Sequence, residues 1–187
     1  MKTRTNDELK KSCRFIIYEI LELHHSLFRM ADNNLIPANR NCYIECYAIH
    51  LRCLMEFIKD KPSNHPKKNY IRALDYLDSG SIEEWNKFKS KHQATLNKIK
   101  EKADIQLAHL SYDREKYKGK VKGWGYEFCN VIDECLLKWS SLADKSKTDE
   151  DLIEVISHFQ KITPALLKKI LLGVYKKQIE QIPPPED

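Results

Sequence analysis

The chain has 187 residues, a formal net charge of +5 and 42% hydrophobic residues, with only 5 glycines and 7 prolines. This length suits one well-buried domain, and the scarcity of glycine and proline favours a helical protein. No apolar run approaches the roughly 20 residues of a membrane-spanning helix and nothing resembles a secretory signal, so we expect a cytoplasmic protein with no membrane partner.

Apolar residues at spacings of three and four predict helices throughout and no strand of useful length. The first helix is predicted to follow a cap at Asn6 or Asp7 and to end near Asp32. The tandem His24 and His25 lies late in this helix. We expect these imidazoles to contact the last carbonyls or the helix dipole rather than to ligate a metal.

The central helix is predicted from Asn41 to Asp60, after a linker marked by Pro37 and a cap at Asn39 or Asn41. Apolar residues cover most of its faces, which predicts a position in the middle of a bundle. All six cysteines of the chain lie in apolar helical patterns, and we expect reduced core thiols. Consecutive pairs among Cys42, Cys46, His50 and Cys53 could alternatively approach a metal ion, although the stripe is about 16 Å long, so one ion could not take all four on a continuous helix.

The charges inside the central helix lie along one narrow edge. They belong to Glu45, Arg52 and Glu56, with Lys59 near the end of the helix. A charge kept on a largely apolar helix needs a buried partner or has a functional task, so this edge is the first place to look for function.

The segment after the central helix is the least regular part of the sequence. A loop and a short helical or irregular piece are predicted at 61–77. Ser81 and Glu84 form a predicted capping box that opens a short helix, in which Trp85 and Phe88 share a face. This insertion could cover the bundle or form one wall of a cleft.

A third major helix is predicted from about Thr95 to Tyr117. Arg114 lies in the middle of its apolar stripe and His109 lies beside that stripe, one turn before Asp113. An arginine on a buried stripe requires a carboxylate, and the charged edge of the central helix could supply one.

Apolar stripes predict a fourth helix from Trp124, a fifth capped by Asp149 and a last helix after Pro164. We therefore predict an all-α bundle of five to six helices with a short irregular insertion. Residues 1–182 are expected to form a single domain, and 183–187 a proline-rich tail.

The positive charge of the chain is concentrated between Lys87 and Lys122, where eleven Lys and Arg stand against four Asp and Glu. A glycine-containing basic loop at 118–123 could bring its backbone and lysines close to phosphates. A phosphate-bearing partner is one explanation, and a solvated lysine-rich helix face is the other. The candidate nucleic-acid-binding residues are Lys102, Lys116, Lys118, Lys120 and Lys122.

The candidate catalytic residues are Arg52, Glu56, His109 and Arg114. Arg52 and Glu56 lie one turn apart and could pair. An arginine beside a histidine could hold an RNA phosphodiester while the imidazole moves a proton, and the guanidinium could stabilise the charged transition state. The alternative is a buried ion-pair network that fixes the packing of two helices.

The segments His50 to Phe57 and Ala108 to Arg114 resemble the two facing helices of the HEPN-like superfamily, over roughly Asn41 to Tyr117. The resemblance implies a helical bundle that often dimerises and, in active members, a metal-independent endoribonuclease of toxin or antiviral defence systems. RNA, a second copy of the chain and a cognate protein partner are the partners that it implies, and no cofactor is expected.

Active members of that superfamily place an arginine before the histidine with four to six residues between them. Counting back from His109, these positions hold Lys102, Ala103 and Asp104, so only Lys102 could stand in as a cation. Lysine lacks the planar fork that suits arginine to phosphate.

Three hypotheses follow. The first is a HEPN-like ribonuclease or RNA-binding protein. The second is a non-catalytic bundle that binds a protein partner or itself. The third is a metal or small-ligand site on Cys42, Cys46 and His50.

Overall fold

A computed structural model describes residues 4–30, 32, 36–59, 70–107 and 128–162 of the chain. In order, the elements are helix α1 (Asn6–Met30), helix α2 (Pro37–Lys59), a 3₁₀ turn (Ala73–Tyr76), helix α3 (Ser79–Leu107), helix α4 (Phe128–Leu142) and helix α5 (150–162). Within these ranges the only β pairing is one isolated antiparallel bridge between Leu77 and Ala143. The prediction of an all-α helical bundle is confirmed.

The N-termini of α1 and α3 are capped by the side chain of the residue that precedes each helix. The sequence analysis placed both caps at later residues. At α1, the backbone N–H of Glu8 donates to the hydroxyl of Thr5, and the N–H of Thr5 donates to the carboxylate of Glu8. Thr5 is therefore the cap, and the prediction of Asn6 or Asp7 is wrong, because both already lie within the first turn.

The helix α3 starts earlier than predicted. The N–H of Ser81 donates to Oδ1 of Asp78 at 2.7 Å, so Asp78 is the cap and Ser81 is already helical. These hydrogen bonds lower the pKa of the Asp78 carboxyl. The linker prediction at Pro37 is wrong in the same way, because Pro37 is the first residue of α2, where its missing N–H costs nothing.

The helix α3 is also longer than predicted, since it is continuous where two helices were expected. Trp85, Phe88, His92 and Leu96 follow one another at helical spacing, and the rings of Phe88 and His92 lie 4.8 Å apart. No proline interrupts this span and its one glycine, Gly80, lies in the first turn, so nothing stops the helix before Thr95.

The core is formed where α2, the 3₁₀ turn and α4 meet α1 and α3. Phe57, Tyr76 and Trp139 are buried and meet edge to face, with ring centroids 5.0 to 6.2 Å apart. The Tyr76 hydroxyl donates to the carbonyl of Leu9, and the Trp139 indole N–H donates to the carbonyl of Ala73. Both buried polar groups are thereby satisfied, which fixes the turn against α1 and α4.

The helix α2 packs against α1, α3, α4 and the 3₁₀ turn, as predicted for a helix in the middle of the bundle, but part of its surface is exposed. Its residues Tyr47, Leu51 and Leu54 are buried, whereas Ile49 is 43% exposed and one side of the helix is open to solvent. Cys42 and Cys53 are exposed and Cys46 is half-buried. The prediction of core thiols is wrong for these three cysteines and confirmed for the other three, namely Cys13, Cys129 and Cys135.

None of the helices in the described ranges combines the length and the apolar character needed to cross a bilayer.

Candidate functional site

The charged edge of α2 meets α3 in a four-residue cluster, the ion-pair network of Arg52, Glu56, Lys100 and Asp104. Nε of Arg52 donates to Glu56 at 3.1 Å, and Nη1 of Arg52 lies 3.3 Å from Oδ1 of Asp104. Nζ of Lys100 donates to Oδ2 of Asp104 at 2.5 Å. The predicted pairing of Arg52 with Glu56 is confirmed, and the network joins α2 to α3.

This network lies at the surface, so Arg52 and Glu56 are not buried as the alternative prediction required. The other members of that predicted network, His109, Asp113 and Arg114, lie outside the described residues. The side chains of Arg52 and Glu56 are 42% and 46% exposed. Exposed pairs of this kind contribute about 0 to 1 kcal/mol each to the free energy of unfolding. Packing of α2 on α3 therefore depends mainly on their apolar contacts, and the guanidinium of Arg52 is accessible while two carboxylates offset its charge.

Four lysines of α3 share one face and form what we call the lysine stripe: Lys87, Lys91, Lys98 and Lys102. Their positions fall within about 60° of arc, along about 22 Å of helix axis. Lys87, Lys91 and Lys98 are exposed, and no carboxylate of the described ranges lies within ion-pair distance of them. Lys102 is half-buried at the edge of the stripe, with Nζ 5.1 Å from the ring centroid of Phe128.

The other candidate residues from the sequence analysis lie outside the described residues. They are His109, Arg114, Lys116, Lys118, Lys120 and Lys122. Their assigned roles stay predictions, as do those of Arg52, Glu56 and Lys102.

A second group of reactive side chains was missed by the sequence analysis and lies in the core. Nε2 of His24, on α1, lies 3.1 Å from Oδ2 of Asp133 and 3.5 Å from Sγ of Cys129, both on α4. These three atoms all lie within 4.8 Å of one another, and all three residues are buried. We call this group the His24 cluster.

The imidazole of His24 is held from two further directions. Its Nδ1 lies 2.7 Å from the carbonyl of Ile20, one turn earlier in α1, and its ring stacks on Phe159 of α5 at 3.8 Å between centroids. The prediction that this ring meets the last carbonyls or the dipole of α1 is wrong, because the carbonyl that it contacts, that of Ile20, lies ten residues before the end of the helix at Met30. The ring instead points into the bundle.

Burial controls the protonation of the thiol in this cluster. Loss of hydration, together with the nearby carboxylate of Asp133, raises the pKa of Cys129 well above its ordinary value. The thiol is therefore protonated at neutral pH unless a cation compensates the thiolate charge.

The sequence contains a signal for this cluster. Asp133 follows Cys129 by one helical turn and lies between the buried apolar residues Ile132 and Leu136, so it is an acid on a core-facing stripe. His24 likewise lies between Leu23 and Leu27, both fully buried. One ionisable residue on the core face of each of two helices predicts that the two meet, because neither could be buried alone.

The third hypothesis, a ligand set on the exposed side of α2, gains no support. Nδ1 of His50 is paired with Glu19 at 2.7 Å, and its ring meets Tyr18 edge-on. Among the described residues, three potential ligand atoms converge in the His24 cluster, and the thiols of Cys42 and Cys46 belong to no such group.

Comparison with known proteins identifies no relative of this chain: no family model, no curated protein and no solved structure matches it.

Proposed function

We propose that this protein is an RNA-binding helical bundle of HEPN-like type that holds the phosphate backbone on the lysine stripe of α3. The observation that carries the proposal is the stripe itself, with three exposed lysines on one face of a single continuous helix. A toxin or antiviral defence setting is part of the proposal through the HEPN-like resemblance alone.

The charge arrangement of α3 favours a polyanion over a small anion as the partner. The exposed lysines are separated by four and seven residues, which corresponds to about 6 and 10.5 Å along the helix axis. A small anion could contact only one of them at a time, whereas a nucleic-acid strand presents a row of phosphates. No described carboxylate lies within ion-pair distance of these lysines, so their charge is available to a partner.

Cleavage of the bound RNA is the further step within the same proposal. It would use His109 to move a proton and Arg114 or Arg52 to stabilise the charged phosphorane. Arg52 contacts Glu56 and Asp104 in the ion-pair network, so in this role it would exchange a carboxylate for a phosphate.

Fluorescence anisotropy with a labelled single-stranded RNA, measured over a range of salt concentrations, tests the binding proposal. We compare the wild type with a triple Lys→Gln variant at Lys87, Lys91 and Lys98. The matched control removes three exposed lysines elsewhere, at Lys10, Lys11 and Lys145.

The α3 variant should bind at least tenfold more weakly, and the slope of log K against log salt should fall by about one for each phosphate that is no longer neutralised by a lysine. Equal weakening in both variants would mean that only net charge matters and would contradict the proposal. Incubating the same RNA in EDTA with wild type and His109→Ala distinguishes a nuclease from a binding protein.

The exposed apolar residues of the first two helices favour self-association as a second property. On the outer face of α1, Phe15, Tyr18 and Phe28 are 52%, 54% and 59% exposed, and Ile49 of α2 is 43% exposed. Exposed aromatic residues are enriched at interfaces. We expect light scattering to show a dimer that Phe15→Glu with Phe28→Glu converts to a monomer, whereas a monomeric wild type would exclude it.

A further inference from the structure

We propose that the His24 cluster is a binding site for a zinc-like divalent transition-metal ion, with Nε2 of His24, Sγ of Cys129 and Oδ2 of Asp133 as ligands. The site would join α1 to α4 in the middle of the bundle. This proposal is independent of RNA binding, because none of its residues lies on the lysine stripe or in the ion-pair network.

The hydrogen-bond partners of His24 indicate which of its ring nitrogens carries a proton. A carbonyl oxygen accepts hydrogen bonds and never donates them, so Nδ1 of His24, at 2.7 Å from the carbonyl of Ile20, carries a proton. In a neutral imidazole, Nε2 then has a lone pair that faces the carboxylate of Asp133 at 3.1 Å. Two acceptors at this distance require a proton on one of them, carried by the imidazole or by the carboxyl group, or a metal ion between them.

The distances in the cluster match those between ligands on one tetrahedral ion. With zinc bonds of about 2.0 Å to nitrogen and oxygen and 2.3 Å to sulfur, the expected separations are about 3.3 Å for N···O and 3.5 Å for N···S. The observed distances are 3.1 Å to Asp133 and 3.5 Å to Cys129. The third separation, between Sγ of Cys129 and a carboxylate oxygen of Asp133, is within 4.8 Å, so one ion could take all three ligands after an adjustment of that pair.

The position of Cys129 favours the metal over the extra proton. A proton shared between His24 and Asp133 leaves the thiol of Cys129 with only a weak hydrogen bond, at 3.5 Å from the same nitrogen. A metal ion engages all three groups, and neutral imidazole, thiolate and carboxylate together balance its two positive charges in the core. On binding, the thiol loses its proton to solvent and an Nε2 proton, where present, leaves as well.

The donor set and its surroundings select the class of ion. One imidazole, one thiolate and one carboxylate suit zinc and related transition ions, whereas magnesium and calcium prefer oxygen ligands alone. The hydrogen bond from Nδ1 of His24 to a backbone carbonyl is the usual way in which a ligating histidine is oriented. Phe159 covers the ring and excludes water from that side.

Cobalt titration of the full chain tests the proposal. The titration uses a background in which Cys42, Cys46 and Cys53 are replaced by Ser, because these thiols lie at or near the surface and could bind cobalt without a built site. After chelator treatment, we expect one Co²⁺ per chain, with tetrahedral ligand-field bands and thiolate-to-cobalt charge-transfer absorption. Zinc should displace the cobalt and abolish the spectrum, and the melting temperature should rise when either ion is added.

Two variants and one control make the result specific. Cys129→Ser should lose the charge-transfer band, and Asp133→Asn should bind at least tenfold more weakly. Cys135→Ser is the matched control, since Cys135 is also buried on α4 but lies outside the cluster. If Cys129→Ser does not melt cooperatively, Asp133→Asn alone decides the question.

A folded, chelator-treated protein that shows no tetrahedral spectrum would overturn the proposal. So would a charge-transfer band that persists in folded Cys129→Ser. In either case the cluster would be a proton-mediated imidazolium–carboxylate pair beside a neutral thiol.

Discussion

The His24 cluster and the ion-pair network contain the same contact in opposite surroundings. Nε2 of His24 lies 3.1 Å from Asp133, and Nε of Arg52 lies 3.1 Å from Glu56. The side chains of the first pair are 2% and 6% exposed, and those of the second pair are 42% and 46% exposed. Equal distances therefore conceal very different energetics, because hydration rather than separation determines what each contact contributes.

The comparison also separates two kinds of functional potential. In the core, a charged group that loses its partner cannot be rehydrated. A proton or a cation shared between the groups of the cluster therefore stabilises the folded protein. At the surface, water and salt can replace either partner, so the network can exchange a carboxylate for a phosphate at little cost.

Replacing Asp133 should have the largest effect on stability. In chelator-treated protein, Asp133→Ala leaves the imidazole of His24 buried without its partner and should lower the free energy of unfolding by about 3 to 5 kcal/mol. Urea denaturation measures this change. The control is Glu134→Ala, which removes an exposed acid from the neighbouring position of the same helix and should change stability by less than about 0.5 kcal/mol. Equal effects of the two substitutions would contradict the comparison.

Replacing the exposed pair should have the smallest effect. A double-mutant cycle on Arg52→Ala and Glu56→Ala should give a coupling energy of about 0.3 to 0.5 kcal/mol, typical of surface pairs one helical turn apart. The same denaturation experiment in about 1 M salt, where screening extends over roughly 3 Å, should abolish this coupling. A coupling above about 1.5 kcal/mol that survives salt would show that the network is structural after all.

The spacing of apolar residues along the chain was sufficient to predict the helical fold. A helix with one buried face has apolar residues at every third or fourth position. Ile16, Ile20, Leu23 and Leu27 of α1 are all in the core as their spacing indicates. The same rule failed on one side of α2, since Ile49 and the neighbouring thiols are apolar enough to be buried but are not covered by any helix of the described ranges. The residue types on a helix face indicate whether that face can be buried. They do not indicate whether another helix packs against it.

The caps of α1 and α3 and the core cluster escaped prediction for different reasons, whereas Asp149 caps α5 as predicted. Several polar residues precede α1, and which of Thr5, Asn6 and Asp7 becomes the cap depends on a turn geometry that the sequence does not specify. The contact between His24 and Asp133 spans 109 residues, so each core-facing stripe shows one ionisable residue but neither shows which partner it meets. The ion pair of Arg52 with Glu56 was predictable because helical periodicity alone brings the two together.

The uneven exposure of the thiols has a practical consequence for chemical labelling. Cys42 and Cys53 are both exposed residues of α2, but the thiol of Cys53 is partly shielded from water and lies near the charge of Glu19, which raises its pKa to about 12. Thiolates are the species that react with alkylating reagents, so near neutral pH a reagent should modify Cys42 first and leave Cys129 and Cys135 untouched. A single fluorophore can then be attached to α2 of the native protein, and the later appearance of label on the two buried thiols would time the opening of the core.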